Sequence, residues 1–491
     1  MIIDIAQACD LVIFGAKGDL ARRKLLPALY QLEKCNQIHP NTRIIGAGRA
    51  NWTKEEYIET IKKTTKTFLR EDIDEHIWDK LIFRVHFFNI DVFKEHYFTK
   101  LKKILNQTNN IIIYYCAVPP SAFHAIFEGL GKVNLNLFPS RIIIEKPLGV
   151  SLKTCKKIND QIAKYFLESQ IFRIDHYLGK ESILNLISLR FANSLFFNNW
   201  NRKMIDHIQI TVSEEVGIEN RWNYFDEMGQ TRDMVQNHLL QILTIISMDQ
   251  PKNISPTNIR NEKIKILRTL DTINIDNINE KTVRGQYTSG NIRGKKVPSY
   301  IEENGANPNS QTETFVCIRV DLKNDQWLGV PFYLRTGKRL AYKYSEIVVV
   351  FKEMPINLFN KPNNLSRNKL IIRLDPNENI KIDFFKKTPG FNEICQLTSD
   401  RIELSSSTKT TSNRIDAYER LLLESMKGSQ SLFVCREETE EAWKWIDPII
   451  DSWKKTKQNN LKLYPAGTWG PKNSDKIIMK DGRYWHEFDS K

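Results

Sequence analysis

No stretch of this 491-residue chain stays apolar for the roughly 18 or more residues that a membrane span requires, so no segment is expected to cross a bilayer. The opening residues, MIIDIAQACDLVIFG, lack a basic patch ahead of an apolar core and lack a small-residue cleavage site. They are not expected to act as a secretory signal. Cysteine is scarce and scattered. The seven residues Cys9, Cys35, Cys116, Cys155, Cys317, Cys395 and Cys435 never form a Cys-x-x-Cys pair, which argues against a disulfide framework and against a zinc cluster. A reducing cytoplasm suits this usage. There is no internal repeat, and no dense Lys/Arg tract interleaved with aromatics of the kind a dedicated nucleic-acid surface needs.

What is present is an ordinary globular balance, 41% hydrophobic and 26% charged, which excludes disorder over most of the length. The length exceeds one ordinary core and predicts at least two domains. The formal charge of +14 has two functional readings beside a compositional one, and the first is that basic proteins bind nucleic acid. Basic clefts collect phosphorylated small molecules. A chain rich in Lys, Asn and Ile also accumulates lysine on solvated faces through codon composition alone.

The first part of the chain alternates short β-branched runs with amphipathic stretches. LVIFG (11–15), RIIGAGR (43–49), NIIIYYCAVPP (110–120) and RIIIEKPLG (141–149) read as buried strands, with a helix over 19–34 despite Pro27. SQIFRIDHYLGKE (169–181) reads as a further strand turning into a helix. This pattern predicts a Rossmann-like, doubly wound parallel sheet with ligands at the carboxyl ends of its strands. After about residue 190, segments such as 206–216, 313–322, 330–338, 345–353, 368–376 and 380–385 alternate apolar and polar residues without intervening helices. They predict a large, mainly antiparallel sheet, with helices over 417–428 and 440–455 and an exposed loop over 286–312. The expected division is an NADP-binding Rossmann-like domain over 1–175 and a β+α substrate and oligomerisation domain over 176–491.

Three short motifs sit where that architecture would place chemistry. VIFGAKGDLARRKL turns through Gly15 and Gly18 into a helix. The spacing departs from G-x-G-x-x-G, yet glycines let the backbone approach a pyrophosphate and the helix start offers free N–H donors. A plain glycine turn is the competing reading. Arg49 ends the second strand, where an NAD site would carry an acid on the ribose 2′-hydroxyl; an arginine suits a 2′-phosphate, hence NADP. Lys146, in EKPLG, follows the fourth strand and could touch both cofactor and substrate, or could be a solvated loop lysine.

RIDHYLGKE ends a strand at Asp175 and places His176, Tyr177 and Lys180 on the next turn, which would make an anion site suited to a sugar phosphate. Glu214 and Asp233 are candidate acceptors for hydroxyl groups. Lys338, after another strand, and Lys343 could add positive charge. In RDMVQNHLLQIL, an α-helix at about 100° per residue would align Val235, Leu239, Ile242 and Ile246 as a core stripe. His238 would then fall roughly 60° off it, half buried, and Asp233 roughly 140° from His238, on another face. A histidine on an apolar flank also fits a purely structural role.

Taken together, VIFGAKGDLARRKLLPALYQL, EKPLG, FRIDHYLGKE, YFDEMGQTRDMVQNHLLQIL, VRGQYTSG, GVPFYLRTGKRL, DAYERLLLESMKG, EEAWKWIDPI and YPAGTWGP resemble the bacterial glucose-6-phosphate dehydrogenases over nearly the whole chain. The resemblance implies NADP-dependent oxidation of glucose 6-phosphate at C1 to the 1,5-lactone, the first step of the oxidative pentose phosphate pathway. It implies His238 as general base and Asp175 as its partner, His176, Tyr177 and Lys180 as phosphate ligands, and Glu214, Asp233, Lys338, Lys343 and Lys146 as further substrate contacts. Gly15, Ala16, Lys17, Gly18, Asp19, Leu20, Arg49, Lys146, Asp91 and Val92 match cofactor positions. A hemiacetal oxidation calls for a base near neutral pKa and for no metal. The resemblance further implies a homodimer or homotetramer formed through the large sheet, with no nucleic-acid or membrane partner. Asn220 and Asn223 stand where relatives tend to carry Gly, and Lys17 where Ser or Thr is frequent. Rival readings are an NADP-dependent dehydrogenase of an unphosphorylated sugar, against which the anion turn argues, and a non-enzymatic NADP sensor or nucleic-acid binder.

Overall fold

The computed structural model describes residues 6–69, 71–219, 221–353, 367–376, 378–389, 397–405, 415–456 and 461–487. Asn220 and Cys395 lie outside them. The strands in chain order are β1 (Cys9–Phe14), β2 (Arg43–Gly48), β3 (Val85–Asn89), β4 (Ile111–Cys116), β5 (Arg141–Ile144), β6 (Ile171–Ile174), β7 (Ile205–Ser213), β8 (Thr282–Thr288) and β9 (Gly290–Ile292). They continue with β10 (Lys295–Val297), β11 (Phe315–Val320), β12 (Phe332–Gly337), β13 (Tyr344–Phe351), β14 (Lys369–Asp375), β15 (Asn379–Lys387), β16 (Leu397–Ser405), β17 (Phe433–Val434) and β18 (Leu461–Pro465).

The chain divides into two compact units. The first comprises Met1–Glu181, Pro251–Asn261 and Asn413–Glu440; the second comprises Ser182–Gln250, Glu262–Ser412 and Glu441–Lys491. The division after Glu181 replaces the expected seam at 175, and two later segments return to the first unit. They are tied there by hydrogen bonds: β17 pairs with β6, Arg141 donates to the Ser425 and Met426 carbonyls, and Arg260 donates to the Phe433 and Gln430 carbonyls.

The first unit holds a sheet of order β17-β6-β5-β4-β1-β2-β3. Strands β1 to β6 run parallel, in the doubly wound order, and β17 closes one edge antiparallel. Apolar side chains buried on both faces explain why the strands read as continuous apolar runs: on one face Val12, Phe14, Ile45, Tyr114 and Ile142 share a core with Phe98, Phe123, Phe127 and Ile162 from the covering helices, and on the other Leu11, Ile13, Ile113, Tyr115 and Ile143 are buried too. The pattern reading passed over β3, VHFFN, an edge strand whose residues are mostly half buried. The helix expected over 19–34 is instead a π-helical stretch, Ala21–Leu25, running into an α-helix, Leu26–Lys34, with Pro27 in its first turn. The slip to five-residue spacing falls where Pro27 has no N–H to give.

The second unit holds a sheet of order β16-β15-β14-β13-β7-β12-β11-β8-β18. Its neighbours are antiparallel except for two parallel pairs, β7 with β12 and β8 with β18. Tyr287, Phe315, Tyr333 and Tyr464 pack one face of it against Trp222, Phe225 and Ile478. The segment 286–312 is no simple loop. It completes β8, forms the β9–β10 hairpin and adds a short helical turn at Tyr300–Glu302. Gly294 and Gly305 take positive φ in it, at 81° and 80°, and Gly294 closes the turn of the β9–β10 hairpin. None of the described helices is long and apolar enough to cross a membrane.

Candidate active site

In the first unit, β1 lies between β2 and β4, so the strand order reverses beside it. That switch point is where doubly wound sheets bind ligands. Gly15 follows β1 there with φ 85°, and a Cβ on it would sit 2.3 Å from the Ala117 carbonyl oxygen. Only glycine leaves this approach open. Gly15 and Ala16 donate to the Ala47 carbonyl at 2.9 and 3.2 Å, and Gly18 donates to Gly15 at 2.8 Å. The turn is thereby fixed to the end of β2, from which Arg49 projects, exposed. Lys17 is exposed too, with Nζ 5.5 Å from the centre of the Trp52 ring. Asp19 bonds Arg23 at 2.6 Å on the surface, and Leu20 begins the helix. Asp91 and Val92 follow β3; the Asp91 carboxylate accepts the Phe93 N–H at 3.2 Å. A glycine cradle with this open approach and cations at the end of β2 fits a dinucleotide phosphate.

Lys146 follows β5 and is half buried, and its bond to Pro147 is cis. Beside it lies a carboxylate that the pattern reading did not single out. Glu145 is buried and accepts the Tyr115 hydroxyl at 2.6 Å, with a second hydrogen bond from Tyr418. Burial pushes its carboxyl up to about 7, against the opposing pull of Tyr115 and the Lys146 charge. The signal was its adjacency to Lys146 in EKPLG; what hid it was that its two phenolic partners lie far away in sequence.

Asp175 ends β6 and caps the short helical turn His176–Gly179, accepting the Tyr177 N–H at 3.0 Å. Asp175 and Tyr177 are buried, whereas His176 and Lys180 are half buried. Lys180 Nζ lies 4.2 Å from the Tyr177 ring centre, and the His176 ring stacks on Tyr418 at 6.1 Å. The turn therefore does group these three donors within one turn of chain.

In the second unit, the parallel pairing of β7 and β12 sets Ser213 opposite Gly337. Each strand's next residue emerges side by side, and these are Glu214 and Lys338. Lys338 Nζ reaches Glu214 Oε2 at 2.8 Å, with the lysine side chain 2% exposed and the glutamate 27%. Gln230, also missed from sequence, donates to Thr336 at 2.8 Å and approaches Glu214 at 3.5 Å. Lys343 precedes β13, whose Tyr344 pairs with Ser213, so its backbone lies beside Glu214. Its side chain is 65% exposed and paired with Asp375 at 2.9 Å, because it precedes β13 while Asp375 ends the neighbouring β14.

The RDMVQNHLLQIL segment departs from the helical wheel. Thr231–Leu239 is π-helical, and the Leu240 N–H donates to the Val235 carbonyl five residues back. With five-residue spacing, residues i and i+5 become axial neighbours, as i and i+4 are in an α-helix. Asp233 and His238 therefore share a face, correcting the expectation that they diverge. His238 is fully buried rather than half buried, and Val235, Leu239, Ile242 and Ile246 are core as expected. The stretch starts at a kink: Gly229 has φ 67°, and a Cβ there would meet the Glu313 carboxylate at 2.6 Å. Glu313 in turn accepts the Thr231 N–H at 3.1 Å. Asn223 is helical. The strained left-handed position is Glu219, at φ 48°.

Two family models match the chain: the glucose-6-phosphate dehydrogenase NAD binding domain over residues 12–185, and the C-terminal domain of the same family over residues 187–486. Among curated relatives, the glucose-6-phosphate 1-dehydrogenase of Buchnera aphidicola from Schizaphis graminum is 71% identical over the full length of both chains. The enzyme of that name from Dickeya dadantii is 56% identical over 99% of this chain and 100% of its own. A solved glucose-6-phosphate dehydrogenase in complex with its substrate glucose-6-phosphate superposes with a TM-score of 0.89, at 30% identity, over 99% of this chain and 100% of that one. The Mycobacterium avium enzyme gives 0.85 at 31% identity, over 98% and 99%. By both domains and over its whole length, the chain belongs to the glucose-6-phosphate dehydrogenase family, oxidoreductases whose first domain binds a nicotinamide cofactor.

Proposed function

We propose that the chain oxidises C1 of β-D-glucose 6-phosphate to 6-phospho-D-glucono-1,5-lactone, using NADP+ as hydride acceptor. The observation that carries the reading is the π-helical stretch, which puts a carboxylate and a buried imidazole on one helix face beside an otherwise apolar stripe. His238 takes the proton of the C1 hydroxyl as the C1–H bond gives up its hydride, and Asp175 orients the imidazole and stabilises its charged form. Asp233 and Glu214 accept hydrogen bonds from sugar hydroxyls, with Lys338 holding Glu214 in place. His176, Tyr177 and Lys180 take the 6-phosphate, and Lys343 is a further substrate contact. The bound cofactor supplies a nicotinamide ring that accepts hydride. Gly15 to Leu20 cradle its pyrophosphate; Asp91 and Val92 flank its adenosine. Arg49, where an NAD site would carry an acid, selects the 2′-phosphate with help from Lys17. Lys146 bridges cofactor and substrate.

We place the protein in the cytoplasm as a homodimer or homotetramer formed through the large sheet, whose edge strand β16 exposes Ile402 and Leu404. Formation of NADPH with glucose 6-phosphate, glucose and other sugar phosphates tests the reaction. A strong preference for glucose 6-phosphate is expected. Equal efficiency with free glucose would replace this reading with a dehydrogenase of unphosphorylated sugars.

A further inference from the structure

The pair formed by Glu214 and Lys338 has a third member. Gln230 stands where the helix Trp222–Gln230, kinked at Gly229, meets the π-helical stretch Thr231–Leu239, and it is fully buried. Its backbone is pinned at one point. The Gln230 N–H donates to the Glu313 carbonyl at 2.9 Å, and the Thr231 N–H donates to the Glu313 carboxylate at 3.1 Å. The side chain is thus delivered from a fixed origin toward the ends of β7 and β12. There its Nε2 donates to Thr336 Oγ1 at 2.8 Å and reaches Glu214 Oε2 at 3.5 Å.

Both donors meet the same carboxylate oxygen. Lys338 Nζ lies 2.8 Å from Glu214 Oε2, the atom that Gln230 also approaches. No donor among the described residues reaches Glu214 Oε1, although an ionised carboxylate accepts two or more hydrogen bonds on each oxygen. One oxygen faces inward and is held; the other is left for a hydroxyl at the 27% exposed side of the group. The arrangement has a cost, because Gln230 Oε1 is buried without a donor and buried polar atoms are nearly always satisfied. Turning the amide over would set Oε1 against the Glu214 carboxylate, oxygen against oxygen. The orientation that leaves Oε1 unanswered is the one that gives Glu214 an N–H.

We propose that Gln230 is a positioning residue for sugar recognition, a role that rests on Glu214 serving a sugar hydroxyl. With Lys338 it locks Glu214 Oε2, so that Oε1 alone accepts the hydroxyl. Being fully buried, Gln230 acts through Glu214 and not by touching the sugar.

The test is steady-state kinetics of the full chain with glucose 6-phosphate and NADP+, for wild type, Q230M, E214Q and the double variant at one pH and ionic strength. Methionine keeps the length and bulk of glutamine but offers no N–H. Q230M is expected to raise KM for glucose 6-phosphate roughly three- to tenfold, the worth of one hydrogen bond. Its kcat and its KM for NADP+ should stay within about twofold of wild type, because the lost contact is made equally in ground and transition states. In the E214Q background Q230M should add nothing, as expected of residues that act as one unit. T336V, which frees the amide without touching Glu214, should raise KM in the same direction and serves if Q230M fails to fold. If E214Q fails to fold, monodeoxy glucose 6-phosphates supply the cycle: the Q230M effect should vanish with the analogue lacking the hydroxyl that Glu214 holds. Lowered kcat or Tm with wild-type KM, additive effects of Q230M and E214Q, or equal effects of Q230M on every analogue would overturn the proposal. E214Q with wild-type KM would remove the role of Glu214 and this proposal with it. A raised KM in E214Q beside a wild-type KM in Q230M would overturn the proposal alone.

Discussion

Glu145 gives the sharpest quantitative expectation. Its carboxyl is buried beside Tyr115 and Tyr418 and is pushed from an ordinary 4.5 up to about 7. Between those values the folded chain binds a proton that the unfolded chain has released. Stability therefore falls as pH rises through that window, and is lowest once the buried group is ionised. The gap from 4.5 to about 7 corresponds to about 3 kcal/mol, most of it between pH 5 and pH 8. Glu145→Gln keeps the shape, still accepts the Tyr115 hydroxyl, and offers an amide N–H to the Tyr418 oxygen, but cannot ionise. The two proteins should melt within a few degrees of each other at pH 5. At pH 8 the variant should melt higher, at roughly 2–4 °C per kcal/mol for a unit of this size. The assay is thermal unfolding of both proteins from pH 5 to 8 at constant ionic strength. Parallel curves across that range would refute the argument, since they would mean that Glu145 does not change its ionisation there. A variant that is less stable at pH 8 would show that the buried carboxylate is held by interactions an amide cannot replace.

Four further outcomes are expected. His238→Ala should lower kcat roughly 10²–10⁴-fold with substrate Kd little changed, as loss of a general base does; full kcat with lost binding would remove that role. Lys180→Ala should raise KM for glucose 6-phosphate roughly tenfold or more and leave free glucose unaffected, as loss of a charged hydrogen bond predicts. Arg49→Ala should lower the kcat/KM preference for NADP over NAD by about tenfold, the worth of one charge-assisted contact; an unchanged ratio would assign the selectivity elsewhere. Gly15→Ala forces a Cβ to 2.3 Å from the Ala117 oxygen at φ 85°, so cofactor Kd should rise and Tm fall together; wild-type values for both would show that the turn tolerates a side chain.

The parallel sheet was legible because strands buried on both faces have no polar alternation to confuse them. β1, β2, β4, β5 and β6 all stand out as β-branched runs. β3 did not, because an edge strand with half-buried aromatics carries no such run. β17 is only two residues long, and its place in the first unit depends on a pairing with β6 that spans most of the chain. The later segments that belong with the first unit were hidden for the same reason. Local pattern marks where a sheet ends, but not which later segments hydrogen-bond back to it. Around the candidate site, residues at strand ends were the easiest to find. Gly15, Arg49, Lys146, Asp175, Glu214 and Lys338 all follow strands, where side chains are free to leave the core. Glu145 and Gln230 escaped notice because their significance lies in partners distant in sequence, Tyr418 and Thr336.

The opening segment of the π-helix shows a different limit. Its apolar spacing is read equally well as α-helical, and Val235, Leu239, Ile242 and Ile246 are buried as that reading requires. Apolar periodicity records which side chains face the core; it does not record which carbonyl each N–H chooses. The choice is made at the kink, where Glu313 accepts the Thr231 N–H and occupies the space that a side chain on residue 229 would need. The helix enters the core from that anchored point with one residue more per hydrogen-bonded turn. An α-helix through the same sequence would turn Asp233 roughly 140° away from His238. The π-helical slip costs weaker hydrogen-bond geometry over two turns, and it brings the Asp233 carboxylate and the His238 imidazole to bear along one line. A substitution at Gly229 should therefore disturb the relation between these two residues without touching either.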